Sequence, residues 1–198
     1  WTKVYNQCNY NMYTSHPYKR DVIGTPEIIS QVTREDIDKY YRTFYTPKNM
    51  TTIVVGDLDH EEILKTLCEK FDFPNRIYSE QRINKIDSPV TETKYIESCA
   101  NVQTSYLMFG WSGPKANELK ASICLDLISI IFGDGSSSRL QQNLIEKLPD
   151  KIFNYVGTEH YQFKDGNNFF IQANFNNGNK ENAVELVKSE LAVLLKNR

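Results

Sequence analysis

Apolar positions along this chain fall into two groups of elements separated by a polar stretch. In the first group, Thr25-Pro26-Glu27 puts a capping hydroxyl ahead of a proline suited to the first helical position, which predicts a helical turn over 26–31. Thr33-Arg34-Glu35-Asp36 then forms a capping box with Asp in place of Glu. Ile37, Tyr40, Tyr41 and Phe44 follow at helical spacing, predicting a helix that ends near Pro47. The β-branched run Met50 to Val55, closed by Gly56-Asp57, predicts a short buried strand. Asp59 caps a further helix whose apolar face is Ile63, Leu64, Leu67, Cys68 and Phe71. Residues 1–75 therefore read as one lobe of helices plus one strand.

Residues 76–92 lack periodicity and carry Pro89, the pattern of an interdomain connection. Beyond them, Tyr95 to Ser98 and Val102 to Trp111 read as strands, the second stopped by Gly113-Pro114. Glu118 to Phe132 is a mostly apolar helix expected to be buried on more than one side, and Arg139 to Leu148 is a second helix. Ile152 to Phe163 and Asn168 to Phe175 form a hairpin candidate around Asp165-Gly166, and a closing helix covers about 180–196 with Val184, Val187, Leu191, Leu194 and Leu195 on one face. Residues 93–198 thus read β-β-α-α-β-β-α. The fold class expected is α+β in two lobes, each an antiparallel sheet covered by helices.

Composition narrows the functions. The 198 residues, 40% hydrophobic, suffice for one large core or two small ones, and 23 basic against 25 acidic residues leave a scattered net charge of -2. That balance gives no footprint for nucleic acid, and the longest apolar stretch, Ile123 to Phe132, is about half of a membrane span. The chain opens on Trp1 with no charged start, apolar centre or small-residue cleavage site. The expectation is no targeting peptide, with further sequence upstream and the compartment left open. Cys8, Cys68, Cys99 and Cys124 form no zinc-knuckle spacing. Cys68 and Cys124 fall on apolar helical faces where buried thiols are expected, and reduced thiols lean towards a cytoplasmic setting.

Hydrolysis by zinc needs three protein ligands and an open position. His16 lies in a turn before Pro17, His60 opens a helix beside Glu61 and Glu62, and His160 lies in a strand, so no two share a helix at ligand spacing. Acidic residues in a first turn meet the positive helix end, which accounts for Glu61 and Glu62 without a metal. Gly133-Asp134-Gly135-Ser136-Ser137-Ser138 could cradle phosphate ahead of the next helix. It lacks the Gly-Lys-Ser/Thr of a nucleotide loop, and a helix-to-helix turn with an N-cap explains it equally. Gly-x-Ser-x-Gly is absent, and the tyrosines, spaced for packing, do not form a stacking platform.

The motifs carry more than the composition does. His16-Pro17-Tyr18, Val22 to Glu27, Tyr45 to Met50 and Val54 to Asp57 together resemble the latter part of the zinc-bearing domain of M16 (insulinase/pitrilysin-like, inverzincin) peptidases. Phe109 to Pro114 and Gly133 to Leu140 resemble the entry strand and glycine-rich segment of that family's next, inactive domain. The resemblance implies an M16 metallopeptidase-like (LuxS/MPP-like) fold with the first lobe incomplete. It also implies a parent protein that is a zinc metalloendopeptidase and binds peptide or unfolded protein between two related halves.

The family's His-x-x-Glu-His helix and later glutamate have no counterpart here, so no catalytic or metal-ligating residue is assigned and this chain alone is expected to be inactive. The family holds substrate with an Arg and a Tyr. Ile145 stands at the Arg position, and Tyr155 follows only after altered spacing through Pro149 and Asp150. Gly133, Gly135, Ser136 and Tyr155 are the substrate-binding candidates the resemblance leaves. Zinc is expected in the full-length parent and no cofactor in this chain. The partners implied are a second M16 half or subunit, with self-association of the chain through apolar surface. A catalytically inactive homologue serving as a structural partner subunit is the alternative, and a phosphate-binding module at Gly133 to Ser138 a third reading.

Overall fold

The structure, a computed structural model, describes residues 1–72, 87 and 90–196. It divides into two compact units, Val22–Asn84 and a second made of Trp1–Asp21 with Lys85–Arg198. In the first unit, α2 (Pro26–Gln31), α3 (Arg34–Phe44) and α4 (His60–Lys70) form where the capping signals place them. Thr25 Oγ1 accepts from Ile28 N–H, and Asp59 accepts from Glu62 N–H. Thr33 and Asp36 make the reciprocal bonds of a capping box. None of the three helices has a buried residue, and the run expected as a buried strand is extended but unpaired, with Ile53 and Val55 82% and 91% exposed. A strand needs a neighbour to satisfy its backbone, and the described residues of this unit supply none.

The second unit opens with α1 (Thr2–Met12), a helix unforeseen in the polar, Tyr-rich start, and its place here differs from the expected lobe of 1–75. It continues with β1 (Thr104–Gly113), α5 (Leu119–Gly133), a π-helix at Gln141–Glu146, β2 (Phe153–Tyr161), β3 (Asn167–Asn176) and α6 (Lys180–Lys196). The sheet has the order β1-β3-β2 and is antiparallel throughout, with a register shift between Phe153 and Tyr155. Tyr95 to Ser98 is extended without pairing, so the first of the two strands expected there does not form among the described residues, and after α1 the unit reads β-α-β-β-α with the π-helix between α5 and β2. The expected connection over 76–92 lies outside the described residues except at 87 and 90–92.

Strand alternation gives the sheet two unlike faces. One carries Leu107, Phe109, Phe169, Ile171, Ala173, Phe175, Phe153 and Val156. These pack with Phe132 of α5, Leu140, Leu144, and Ala183 and Val187 of α6 into the core. The other face, bearing Tyr106, Gly110, Asn168 and Phe170, is covered by α1. Tyr5 stands edge-on to Phe170 at 5.6 Å, Asn168 donates to Asn9 at 2.9 Å, and a Cβ on Gly110 would lie 2.6 Å from Cys8 Sγ. Burial between α1 and the sheet pushes the Cys8 thiol up to about 11.

Helix α5 sits on the sheet with its polar and small side chains inward. Ser122 accepts from Asn167 at 3.1 Å, Asp126 bonds His160 at 2.6 Å, and Ser129 O accepts from Thr158 Oγ1 at 2.8 Å. A Cβ on Gly133 would lie 2.7 Å from Thr158 N, Oγ1 and Cγ2. The expectation of burial on several sides is corrected: the apolar residues Ile123, Leu127 and Ile131 face outward and are exposed. Cys124 and Cys68, expected to be buried thiols, are exposed as well. Cys124 lies outside the inward stripe, and nothing among the described residues covers the α4 face that carries Cys68.

Gly133→Ala tests the close approach of α5 to β2. Alanine is the better helix former by about 1 kcal/mol, yet the variant is expected to be less stable by about 1–3 kcal/mol, read as a lower urea midpoint at unchanged m.

Candidate functional site

The three histidines each stand in a different local setting. His16 is buried at the start of a 3-10 turn, where its Nδ1 accepts from Tyr18 N–H at 3.2 Å and its Nε2 lies 3.7 Å from Asp165. His160 Nδ1 bonds Asp126, which also accepts from Gln162 at 2.8 Å, and its Nε2 is buried without a partner among the described residues. The bond to His160, ahead of that from Gln162, holds the Asp126 carboxyl below its usual range. His60 is the exposed first residue of α4. Among the described residues no group of three or more His, Cys, Asp or Glu side chains could hold a metal ion, so the donor set present does not fit zinc.

The glycine-rich segment is a turn between α5 and the next helical stretch. Gly133 is buried in the α5–β2 contact, whereas Gly135 takes φ +84°, a left-handed conformation that glycine adopts freely, with open space around its Cα. Ser136 is exposed, and its carbonyl accepts from Gln142 Nε2 at 2.9 Å. Ser138 is buried; among the described residues its hydroxyl is unpartnered, and its carbonyl accepts Gln142 N–H at 2.9 Å. Arg139 turns to α6, where Glu190 accepts from it at 3.3 Å and from Asn143 at 2.9 Å.

Tyr155 and Gly133 converge. A Cβ on Gly157 would meet Tyr155 Oη at 2.6 Å and the Gly133 carbonyl at 3.2 Å. Tyr155 is 44% exposed and stands edge-on to Trp1 at 6.0 Å. Burial, then the nearby carboxylates of Glu159 and Asp134, raise its pKa above the ordinary tyrosine value, so it presents a neutral hydroxyl at physiological pH. Ile145, at the position where Arg was sought, packs against the core. The four candidates therefore separate: Gly133 and Tyr155 share one locality, and Gly135 and Ser136 form the exposed tip of the turn.

Sequence reasoning missed Asp87. Its carboxylate accepts from the N–H groups of Thr14 at 2.6 Å, Ser15 at 2.9 and 3.0 Å and His16 at 3.0 Å, and from Ser15 Oγ at 2.5 Å. Three successive backbone donors converging on one anion make a nest. The only signal was an acidic residue in the polar stretch, 71 residues or more from its donors.

The family model described as Peptidase M16 inactive domain matches residues 31–198, and the chain belongs to that family. It is 25% identical over 195 residues to the zinc protease PqqE of Helicobacter pylori, covering 92% of this chain and 40% of that protein. An uncharacterized zinc protease of Rickettsia bellii is 27% identical over 192 residues, covering 95% and 43%. The crystal structure of a peptidase M16 inactive domain from Pseudomonas fluorescens shares the fold at TM-score 0.81 and 19% identity, over 97% of this chain and 46% of that one. The chain thus spans less than half the length of these relatives.

The Asp87 nest yields a pH prediction. Desolvation pulls the carboxyl pKa up, but the Ser15 hydroxyl and the three N–H donors outweigh it and hold the group far below its usual range. Since the unfolded value is about 3.9, the contribution is present above that pH and is lost as pH falls through it towards the folded pKa. Asp87→Asn is expected to be less stable than wild type at neutral pH. The gap should narrow on acidification below about pH 4, measured by denaturant unfolding across pH.

Proposed function

We propose that this chain is a non-catalytic segment of a zinc metalloendopeptidase that processes or degrades peptides, and that it helps to build the chamber holding the substrate. The observation that carries the reading is the family match over residues 31–198, with relatives named zinc proteases that are more than twice as long. In this reading zinc and the general base belong to another part of the parent, since the residues described here offer no donor set for the metal. The segment contributes framework instead: a sheet packed on both faces, and a turn at Gly133 to Ser138 between α5 and the π-helix.

Within that framework, Gly135, Ser136 and Tyr155 are the groups assigned to face substrate. An exposed left-handed turn offers backbone donors and acceptors to an extended peptide, and a neutral tyrosine hydroxyl offers one of each. Gly133 serves the same place by letting α5 close on β2. The partners in this reading are peptide or unfolded protein and a second M16 half or subunit. The isolated chain self-associates through its exposed apolar surface.

A second reading, part of a catalytically inactive homologue acting as a structural subunit, draws on Ile145. An apolar residue packed on the core stands where the family resemblance expects a substrate-holding Arg, a departure that equally fits a zinc-bearing half whose partner supplies the Arg and Tyr. The parent's remaining sequence separates the two: an intact His-x-x-Glu-His favours the peptidase, and substitutions within it the subunit.

Incubated with zinc and unfolded peptides, the purified 198-residue chain is expected to cleave nothing, as followed by mass spectrometry. Robust turnover abolished by a chelator would overturn the non-catalytic assignment.

A further inference from the structure

Helix α5 is amphipathic in the inverted sense. Ser122, Asp126, Ser129 and Gly133 face the sheet together with Leu125 and Phe132, while Leu119, Ile123, Leu127, Ile128, Ile130 and Ile131 are 42–65% exposed. Six exposed apolar side chains on one helix amount to on the order of 500 Å², the upper end of what a monomer carries in one patch. The outward face also has a heptad frame. Lys120, Leu127 and Asp134 lie seven residues apart on one line, flanked by Ile123 and Cys124 below the centre and Ile130 and Ile131 above it.

The charges at the two ends of this line have the wrong sign for an isolated helix. Lys120 stands in the first turn, whose only acidic neighbour is Glu118 at the N-cap with no side-chain capping bond, and Asp134 is the C-cap after a last turn that carries no basic residue. Each opposes the helix dipole at its own end. Neither enters an ion pair among the described residues. An identical helix laid antiparallel about Leu127 offsets both faults. Positions whose numbers add to twice 127 then face one another, so Lys120 meets Asp134, Ile123 meets Ile131 and Cys124 meets Ile130 of the second copy.

We infer that the outer face of α5 is a homodimer interface, two copies pairing antiparallel about Leu127. The inference rests on the self-association proposed above and gives it a location. Such a pair is isologous, using one patch twice. It buries on the order of 1,000 Å² over both copies, the lower bound for a specific interface. Uncharged aliphatic side chains at the centre and complementary charges at the rim suit a second copy better than a charged partner.

Sedimentation velocity of the 198-residue chain across a concentration series is the first test, with a monomer–dimer equilibrium expected. Leu127→Glu and Ile131→Glu, both at exposed helical positions where Glu is a good helix former, are expected to weaken the dimer roughly thirtyfold or more each. Lys120→Asp or Asp134→Lys alone should weaken it, and the two together should restore it. In a background of Cys68→Ser and Cys99→Ser, Ile130→Cys should form an intermolecular disulfide with Cys124 under mild oxidation. A chain that stays monomeric overturns both self-association and this interface, leaving α5 for other polypeptide to cover. A dimer untouched by the α5 substitutions overturns the interface alone and moves self-association to another surface, such as that of Val22–Asn84.

Discussion

The seat of α5 on the sheet is the constraint from which the rest of the sheet unit follows. A helix whose inward stripe carries Ser, Asp, Ser and Gly beside Leu125 and Phe132, with most of its Ile and Leu on the other side, would ordinarily bury the more aliphatic side. Here the small side chains win because they allow the helix axis to approach β2 closely enough for Gly133 to meet the Thr158 backbone. Three polar contacts, at Asn167, His160 and Thr158, then satisfy the inward groups. A buried polar group without a partner costs about 1–3 kcal/mol, so each of these bonds fixes position more than it adds stability. The seat of the helix also fixes where it ends, and therefore where the Gly133 to Ser138 turn leaves it.

This arrangement explains why some of the structure could be read from the chain and some could not. Capping signals are local, so Thr25, Thr33 and Asp59 announced α2, α3 and α4 almost to the residue. The hairpin of β2 and β3 was legible for a similar reason, since alternation and Asp165-Gly166 act over neighbouring residues. Strands that depend on absent neighbours were misread. Ile53 to Val55 and Tyr95 to Ser98 have strand composition but pair with nothing among the described residues. Helix α1 was missed because its packing residues are Tyr5, Cys8, Asn9 and Tyr13, a polar and aromatic set matched to the polar face of the sheet.

The candidate site shows the same division. Periodicity cannot tell a glycine that gives room from one that binds, and only the geometry separates Gly133, pressed against β2, from Gly135, open at φ +84°. Tyr155 was named from family spacing, and its neighbour across Gly157 is the Gly133 carbonyl. Asp87 was invisible because a nest is made of backbone, and backbone N–H groups leave no mark in a sequence.

The two units differ in what they lack. Residues of the sheet unit fill one core between sheet, α5, α6 and the π-helix, with apolar excess left only outside. In Val22–Asn84, by contrast, Ile28, Ile29, Ile37, Tyr40 and Leu64 all remain exposed, on helices whose caps are well formed. Caps contribute about 1 kcal/mol each, whereas helices in proteins owe most of their stability to burying an amphipathic face. Good caps on unburied helices therefore describe elements selected to pack against something beyond themselves. These unburied faces belong to a chain that spans less than half the length of the proteins it resembles.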